Sequence, residues 1–350
     1  MTQEKVITFG IIGCGGAADV HARAILECKE NAKLKAIYGT NKEKTLQMAQ
    51  KYGCKAASSL EEILNDPEIT AVTVATPHGA HLEPVCAAAK AGKHILCEKP
   101  MEITCERIEE MIKCCKENNV ILSCVCQSRF YEVTQLLKKT CDEGRFGQML
   151  LSSIQMRWFR PEEYFSKSSW HGFWKLDGGG VLINQAAHAI DNLVYINGVA
   201  KEVFGFSKIM THNIEVEDNI CAVIKYANGS MGTIEASTSC EPGFPRRMEF
   251  SGTNGSVTIE DDKITRWEFK DQRPEDEEIK KKFGGPVVAI GGSSATVANA
   301  AYHAKQIEEL ISAIRYGTKV SMDGAESLKV VELICGIYES CRTGKPYVFK

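Results

Sequence analysis

An α/β N-terminal domain on a parallel sheet, followed by an α+β domain with a large, mainly antiparallel open sheet, is the fold class this 350-residue sequence predicts. Three observations carry the expectation. The first third alternates nearly continuous apolar runs with helical patterns, as βαβ units do. A glycine-rich turn follows the first of those runs. Beyond about residue 127 the alternation stops, and Asn-Gly pairs begin to separate neighbouring apolar runs, as in antiparallel hairpins. The expected domains are therefore 1–126 and 127–350.

Val6–Ile12 reads as a buried strand, followed by Leu34–Tyr38, Thr70–Ala75, His94–Cys97 and Val120–Val125. Parallel strands are covered on both faces, which is why these runs hardly alternate. Helical periodicity fills the gaps, around 17–29, 43–52, 60–65, 79–91 and 104–118. A helix near 131–142 then leads to a long strand over Met149–Phe159. Another helix is expected over about 180–196, ended near Asn197-Gly198. Asn228-Gly229 separates Ile220–Tyr226 from Met231–Ser237, and Asn254-Gly255 separates Met248–Ser251 from Ser256–Ile259. Asn-Gly favours the positive φ angles of a type I′ turn, expected at both places. Residues 271–299, charged and then rich in Gly and Ser, read as a long surface excursion. Helices near 300–316 and 325–341 close the chain.

A formal net charge of −3 gives no broad electrostatic footprint for nucleic acid. No apolar run approaches the roughly 18 residues of a membrane span. Met1–Lys5 leads directly into a strand pattern, without the regions of a signal peptide, so the expected location is the cytoplasm. Fifteen cysteines are an odd number, hold no pair of CxxC knuckles and have no His-rich cluster beside them. They read as small apolar filler in a reducing compartment, and no metal site is expected.

The first strand runs into Gly13-Cys14-Gly15-Gly16-Ala17-Ala18, a G-x-G-x-x-A that opens a helix. Gly13 permits the tight turn, Gly15 lets a pyrophosphate approach the backbone, and Ala18 allows close packing of helix and strand. The helix N-terminus then supplies N–H groups and positive dipole, so a Rossmann dinucleotide site is expected. Strand two ends in Tyr38-Gly39-Thr40-Asn41-Lys42, with neither the carboxylate that holds the ribose of NAD nor the arginine that accommodates the phosphate of NADP. The cofactor is read as NAD or NADP, with a slight lean to NAD, in contact with Gly39, Thr40 and Asn41.

Several stretches together resemble the Gfo/Idh/MocA family, the glucose–fructose oxidoreductase and inositol dehydrogenase relatives. They are Gly10–Gly15 with His21; Ala75-Thr76-Pro77 with His81; Ala91 to Pro100, containing Glu98-Lys99-Pro100; Gly178-Gly179-Gly180 followed by His188 and Asp191; and the ending Gly324 to Pro346. The resemblance spans essentially the whole chain, and Glu98-Lys99-Pro100 is its most specific element. It implies that Lys99 lies beside nicotinamide and substrate. It also implies that Ala75, Thr76, Pro77 and His81 line the nicotinamide ribose, with Glu98 approaching the same region and Gln127 joining the cofactor contacts. The second domain would carry the substrate residues, and its open sheet face would join copies into a homodimer or homotetramer.

The implied activity is hydride transfer to or from a secondary alcohol of a sugar, glycoside or cyclitol. Lys99 suits acid–base work, because an ammonium stabilises a developing alkoxide and burial beside a cation favours its neutral form. Lys99–Pro100 is a candidate cis peptide. Asn184, His188 and Asp191 are spaced to share one face of the expected helix. His188 is expected to share the proton transfer, with Asn184 bonding a substrate hydroxyl. Many members carry Asp where this chain has Asn184, which puts a Lys–Asp–His relay in doubt. Trp158, Trp170 and Trp174 offer apolar faces for a sugar ring, with Arg157, Arg160 and His171 nearby. Arg129 is a further substrate candidate, and His303 a late-helix one. Two other functions share the fold. One is a redox-neutral glycoside-processing enzyme that oxidises a ring hydroxyl with a recycled cofactor. The other is a non-catalytic dinucleotide-sensing regulator, against which the presence of both Lys99 and His188 argues.

Overall fold

The structure, a computed structural model, describes residues 6–287 and 300–350. It forms two compact units: Met1–Gln127 with Val297–Leu328, and Ser128–Thr296 with Lys329–Lys350.

The first unit is built on six strands: β1 (Ile7–Ile12), β2 (Ala32–Tyr38), β3 (Lys55–Ala56), β4 (Ala71–Val74), β5 (His94–Cys97) and β6 (Leu122–Cys124). Their order is β3-β2-β1-β4-β5-β6, and every neighbouring pair is parallel. β1 lies between β2 and β4, so the strand order reverses there. Ligands of such sheets bind outside the carboxyl ends of the strands at that reversal. Five of the strands were predicted; β3, two residues long, has no periodicity to detect. The helix Ala300–Tyr316 also belongs to this unit. Its Ile307, Leu310 and Ile311 join Ala22, Ala24 and Ile25 of the helix Gly16–Glu27 in one core. The linear pattern placed that helix with the second domain, because nothing local signals a return across the whole chain.

The second unit has eight strands: β7 (Met149–Arg157), β8 (Ala200–Lys208), β9 (Asn219–Tyr226), β10 (Met231–Ser237), β11 (Arg247–Gly252), β12 (Gly255–Glu260), β13 (Lys263–Phe269) and β14 (Tyr347–Val348). Their order is β13-β12-β11-β7-β10-β9-β8-β14. Only β7 and β10 run parallel. β9 alternates, with Ile220, Ala222, Ile224 and Tyr226 buried and Cys221, Val223 and Lys225 exposed. One face of the sheet is thus core, and the helix Ala187–Asn197 packs on it against β7. The other face leaves Leu151, Val223 and Met231 more than half exposed.

Both predicted hairpins form, but neither turn is type I′. Gly229 has φ +88° while Asn228 does not have positive φ, and neither Asn254 nor Gly255 has it. The first connection leaves four residues between β9 and β10, which relaxes the demand on Asn228. The expected excursion is also more ordered than its composition suggests. A helix spans Glu275–Phe283, and its buried Asp276 accepts from Arg145 at 2.8 Å and from the Trp267 indole at 2.7 Å. Residues 288–299 of that stretch lie outside the described residues.

Candidate active site

In the first unit, Gly13 crosses from the end of β1 towards β2 and β4. Its N–H donates to Tyr38 O at 2.7 Å, and its φ of +129° suits only glycine. A Cβ there would stand 2.3 Å from Ala75 O. Gly15 is the N-cap of the helix Gly16–Glu27 and supplies no side-chain cap. Cβ atoms built on Gly15 and Gly16 meet nothing within 4 Å. The helix therefore begins with open N–H groups over a bare surface, while Ala18 is fully buried beneath. Gly39 is required by its neighbour, since a Cβ would lie 2.4 Å from Cys14 Sγ.

Asn41, expected to read a ribose hydroxyl, caps the helix Lys42–Tyr52 instead. Its side-chain oxygen accepts from Lys44 N at 3.0 Å. Exposed Thr40 keeps its hydroxyl available at the strand end. Thr76 turns its hydroxyl back to Ala80 O at 2.8 Å. His81 is fully buried, with Nε2 2.9 Å from Thr76 O and Nδ1 3.0 Å from Met101 O. It braces the Thr76–Pro77 turn against Pro100–Met101, so its ring is committed to the protein. Burial, with His78 nearby, lowers its pKa.

Glu98 directly follows β5 and is buried. Its Oε1 accepts from His21 Nε2 at 3.0 Å and lies 4.0 Å from His303 Nε2, while Oε2 accepts from the Lys99 backbone N–H at 3.1 Å. Burial alone would raise its pKa. The hydrogen bond and charge of His21, then His303 and Lys99, outweigh it and hold the carboxyl well below the usual range. The expected cofactor neighbour is thus an anchor for the Lys99 main chain. Lys99–Pro100 is cis, and Lys99 is half-buried. Gln127 opens the turn after β6, and its buried Oε1 has no hydrogen-bond partner among the described residues. The open glycine cradle at one strand end and this orphaned amide oxygen at another fit a dinucleotide.

In the second unit, the expected helix over 180–196 starts late. Residues 181–185 form turns, and the helix runs Ala187–Asn197. Glu217, a residue the sequence reading missed, holds the start of this stretch. Its carboxylate accepts from Gly180 N at 2.8 Å and Leu182 N at 2.9 Å, and Glu217 O accepts from Val181 N at 3.0 Å. A single turn follows, with Asn184 N donating to Gly180 O at 3.0 Å and Gln185 N to Val181 O at 3.2 Å, before the helix proper begins at Ala187. The approach demands glycine: a Cβ at Gly180 would lie 1.8 Å from Glu217 O, and one at Gly179 2.1 Å from the Tyr338 hydroxyl. Tyr338 OH donates to Glu217 at 2.9 Å. Burial pushes Glu217 up to about 7 against the pull of these donors.

Asn184 therefore sits in a turn, and His188 on the first turn of the helix, half-buried. Asn184 Nδ2 donates to Asp177 at 2.7 Å. Asp191, three residues further along the same helix, is committed to another partner. It forms a buried two-pronged pair with Arg129, Nε to Oδ2 at 3.0 Å and Nη2 to Oδ1 at 2.7 Å, with the guanidinium over Tyr195. Arg129 is 2% exposed, so the expected substrate contact is a structural ion pair. Trp158 lies under the Arg160 guanidinium, and its indole N–H has no hydrogen-bond partner among the described residues. Trp174 is exposed, donates to Glu215 O at 3.0 Å and meets Tyr338 edge-on.

Residues 7–125 match the model of an oxidoreductase family with an NAD-binding Rossmann fold, and residues 134–258 match its C-terminal domain. The chain belongs to the Gfo/Idh/MocA family. Among curated members it is 29% identical to a myo-inositol 2-dehydrogenase of Thermotoga maritima, over 71% of this chain and 73% of that protein. It is 25% identical to a scyllo-inositol 2-dehydrogenase (NADP(+)) of Bacillus subtilis, over 97% and 95%. Among solved structures it resembles the WlbA dehydrogenase of Bordetella pertussis in complex with NADH and UDP-GlcNAcA, with a TM-score of 0.89 and 29% identity, covering 99% of each chain.

Proposed function

We propose that this Gfo/Idh/MocA member is an NAD(P)-dependent oxidoreductase that moves a hydride to or from a secondary alcohol of a sugar, glycoside or cyclitol. The observation that carries the reading is Lys99, held at a strand end by a buried carboxylate in a unit that also offers an open glycine cradle. Gly13, Gly15, Gly16 and the helix start would hold the pyrophosphate, and Gln127 a polar edge of the cofactor. When bound, the nicotinamide accepts or gives the hydride. Lys99 and His188 hold and move the hydroxyl proton, Asn184 orients the alcohol, and Trp158 and Trp174 cover apolar sugar faces. NAD is the favoured cofactor: Thr40 offers a hydroxyl at the end of β2, and the WlbA dehydrogenase was solved with NADH.

The test is a screen at 340 nm of myo-inositol, scyllo-inositol, UDP-GlcNAcA and simple glycosides with NAD+ and NADP+. Substrate-dependent reduction supports the reading, with NAD+ the better oxidant. No reduction with any of them counts against it, and aglycone release without net reduction marks the redox-neutral alternative.

The exposed sheet face frames a concavity of about 540 Å³ lined by Leu151, Val223 and Met231. We assign it to a second copy of the chain, in a homodimer or a homotetramer, which light scattering will read. Fifteen free cysteines fit the reducing cytoplasm.

A further inference from the structure

Cys14 and Gly39 follow two neighbouring parallel strands, β1 and β2, and meet beyond their carboxyl ends. Cys14 stands in the glycine fingerprint between Gly13 and Gly15, and Gly39 directly follows β2. Gly39 does not have positive φ, so its backbone conformation is open to any residue. What position 39 lacks is room. A Cβ built there would lie 2.4 Å from Cys14 Sγ and 2.7 Å from Cys14 Cβ, well inside van der Waals contact. Thr45 Oγ1, at 2.9 Å, is the lesser obstruction. The thiol also leans on the end of strand two, with Sγ 3.9 Å from Asn41 O.

The direction of that missing Cβ gives the contact a chemical meaning. A side chain on residue 39 would be aimed at the fingerprint, next to the open Gly15 and Gly16. Asn41, two residues on, is turned to its own helix as the N-cap. In dinucleotide folds an acidic side chain at the end of strand two holds the ribose hydroxyls of NAD, and its charge opposes the 2′-phosphate of NADP. Here the sulfur of Cys14 fills the space that such a side chain would cross.

We propose that Cys14 is a specificity-determining residue: it excludes a side chain from position 39, so no carboxylate stands at the ribose and a 2′-phosphate is not repelled. The proposal rests on the dinucleotide reading of this unit. NAD stays the better cofactor through the Thr40 hydroxyl, but the preference is shallow. The exposed first turn that follows carries Lys42, Glu43 and Lys44, a net positive charge beside the same strand end.

The test is binding of NADH and NADPH, followed by their fluorescence without any substrate, together with Tm. In the unmodified protein the Kd for NADPH should lie within about tenfold of that for NADH. Gly39→Asp alone should lower Tm by about 5 °C, because its Cβ meets Cys14. C14G/G39D opens the space. It should recover most of that Tm and raise the ratio of the NADPH Kd to the NADH Kd by about thirtyfold or more. C14G/G39N has nearly the same shape without the charge, and should recover Tm while leaving the ratio within about threefold.

Three results overturn the proposal. The first is an unmodified protein that already favours NADH by about a hundredfold. The second is a C14G/G39D protein no more stable than G39D, which would clear Cys14 of the exclusion. The third is a ratio in C14G/G39D within about threefold of the unmodified one. Binding of NADH with that unchanged ratio removes only the role of Cys14. If the unmodified protein binds neither dinucleotide, the dinucleotide reading itself falls and the proposal with it.

Discussion

Glu98 in the first unit and Glu217 in the second are both buried carboxylates that accept backbone N–H groups beside glycine-rich or proline-bound turns. Around Glu98 stand His21, His303 and Lys99, and the carboxyl is held well below its ordinary range. Around Glu217 stand two neutral backbone donors and the Tyr338 hydroxyl, and burial wins, pushing it up to about 7. Burial is nearly equal; the presence of basic partners decides the direction. The first unit thus fixes Lys99 with a charge, while the second shapes the Gly178–Asn184 stretch with a carboxyl that titrates near neutrality.

The largest expected effect that sharpens this contrast is Glu98→Ala. It strips His21 and the Lys99 N–H of their acceptor and should cost about 3 kcal/mol by chemical denaturation. Next comes the pH dependence of Glu217. Its folded pKa is raised from the usual 4.5 to about 7, so the stability it contributes is full below 4.5 and lost as pH rises through 7. The slope is at most about 1.4 kcal/mol per pH unit between those values. Glu217→Gln should flatten it, and an unchanged slope would show that the contrast with Glu98 is misread. Gly15→Ala tests the cradle. A Cβ there meets no protein atom, so Tm should hold while the Kd for NADH rises by about tenfold. The smallest effect is Asn41→Ala, a lost N-cap of about 1 kcal/mol, with the KM for NAD+ nearly unchanged.

The two units were unequally legible in the sequence. The βαβ alternation, the glycine fingerprint and Glu98-Lys99-Pro100 are local signals, and they located five of the six strands of the first sheet and its glycine turn. His21 and Glu98 were named, yet their pairing spans 77 residues and no local pattern shows it. In the second unit the hydrophobic alternation of β9 and β10 was readable, while the helix start was not. The backbone of residues 180–182 answers to Glu217, some thirty-five residues away, and helical spacing could not show that Asp191 is taken up by Arg129, 62 residues distant in the sequence. Arg129 stood as a candidate from its place at a strand end, and its packing on Asp191 and Tyr195 is what the sequence could not show.

The central claim is that Lys99 moves the proton in a cofactor-dependent alcohol oxidation. It is tested most directly by comparing the unmodified protein with Lys99→Ala in NAD+ reduction at 340 nm, with NADH binding followed by fluorescence in the same samples. The account predicts a loss of about a thousandfold in kcat with the Kd of NADH nearly unchanged. A variant that binds NADH and keeps kcat within a few-fold of the unmodified protein contradicts it.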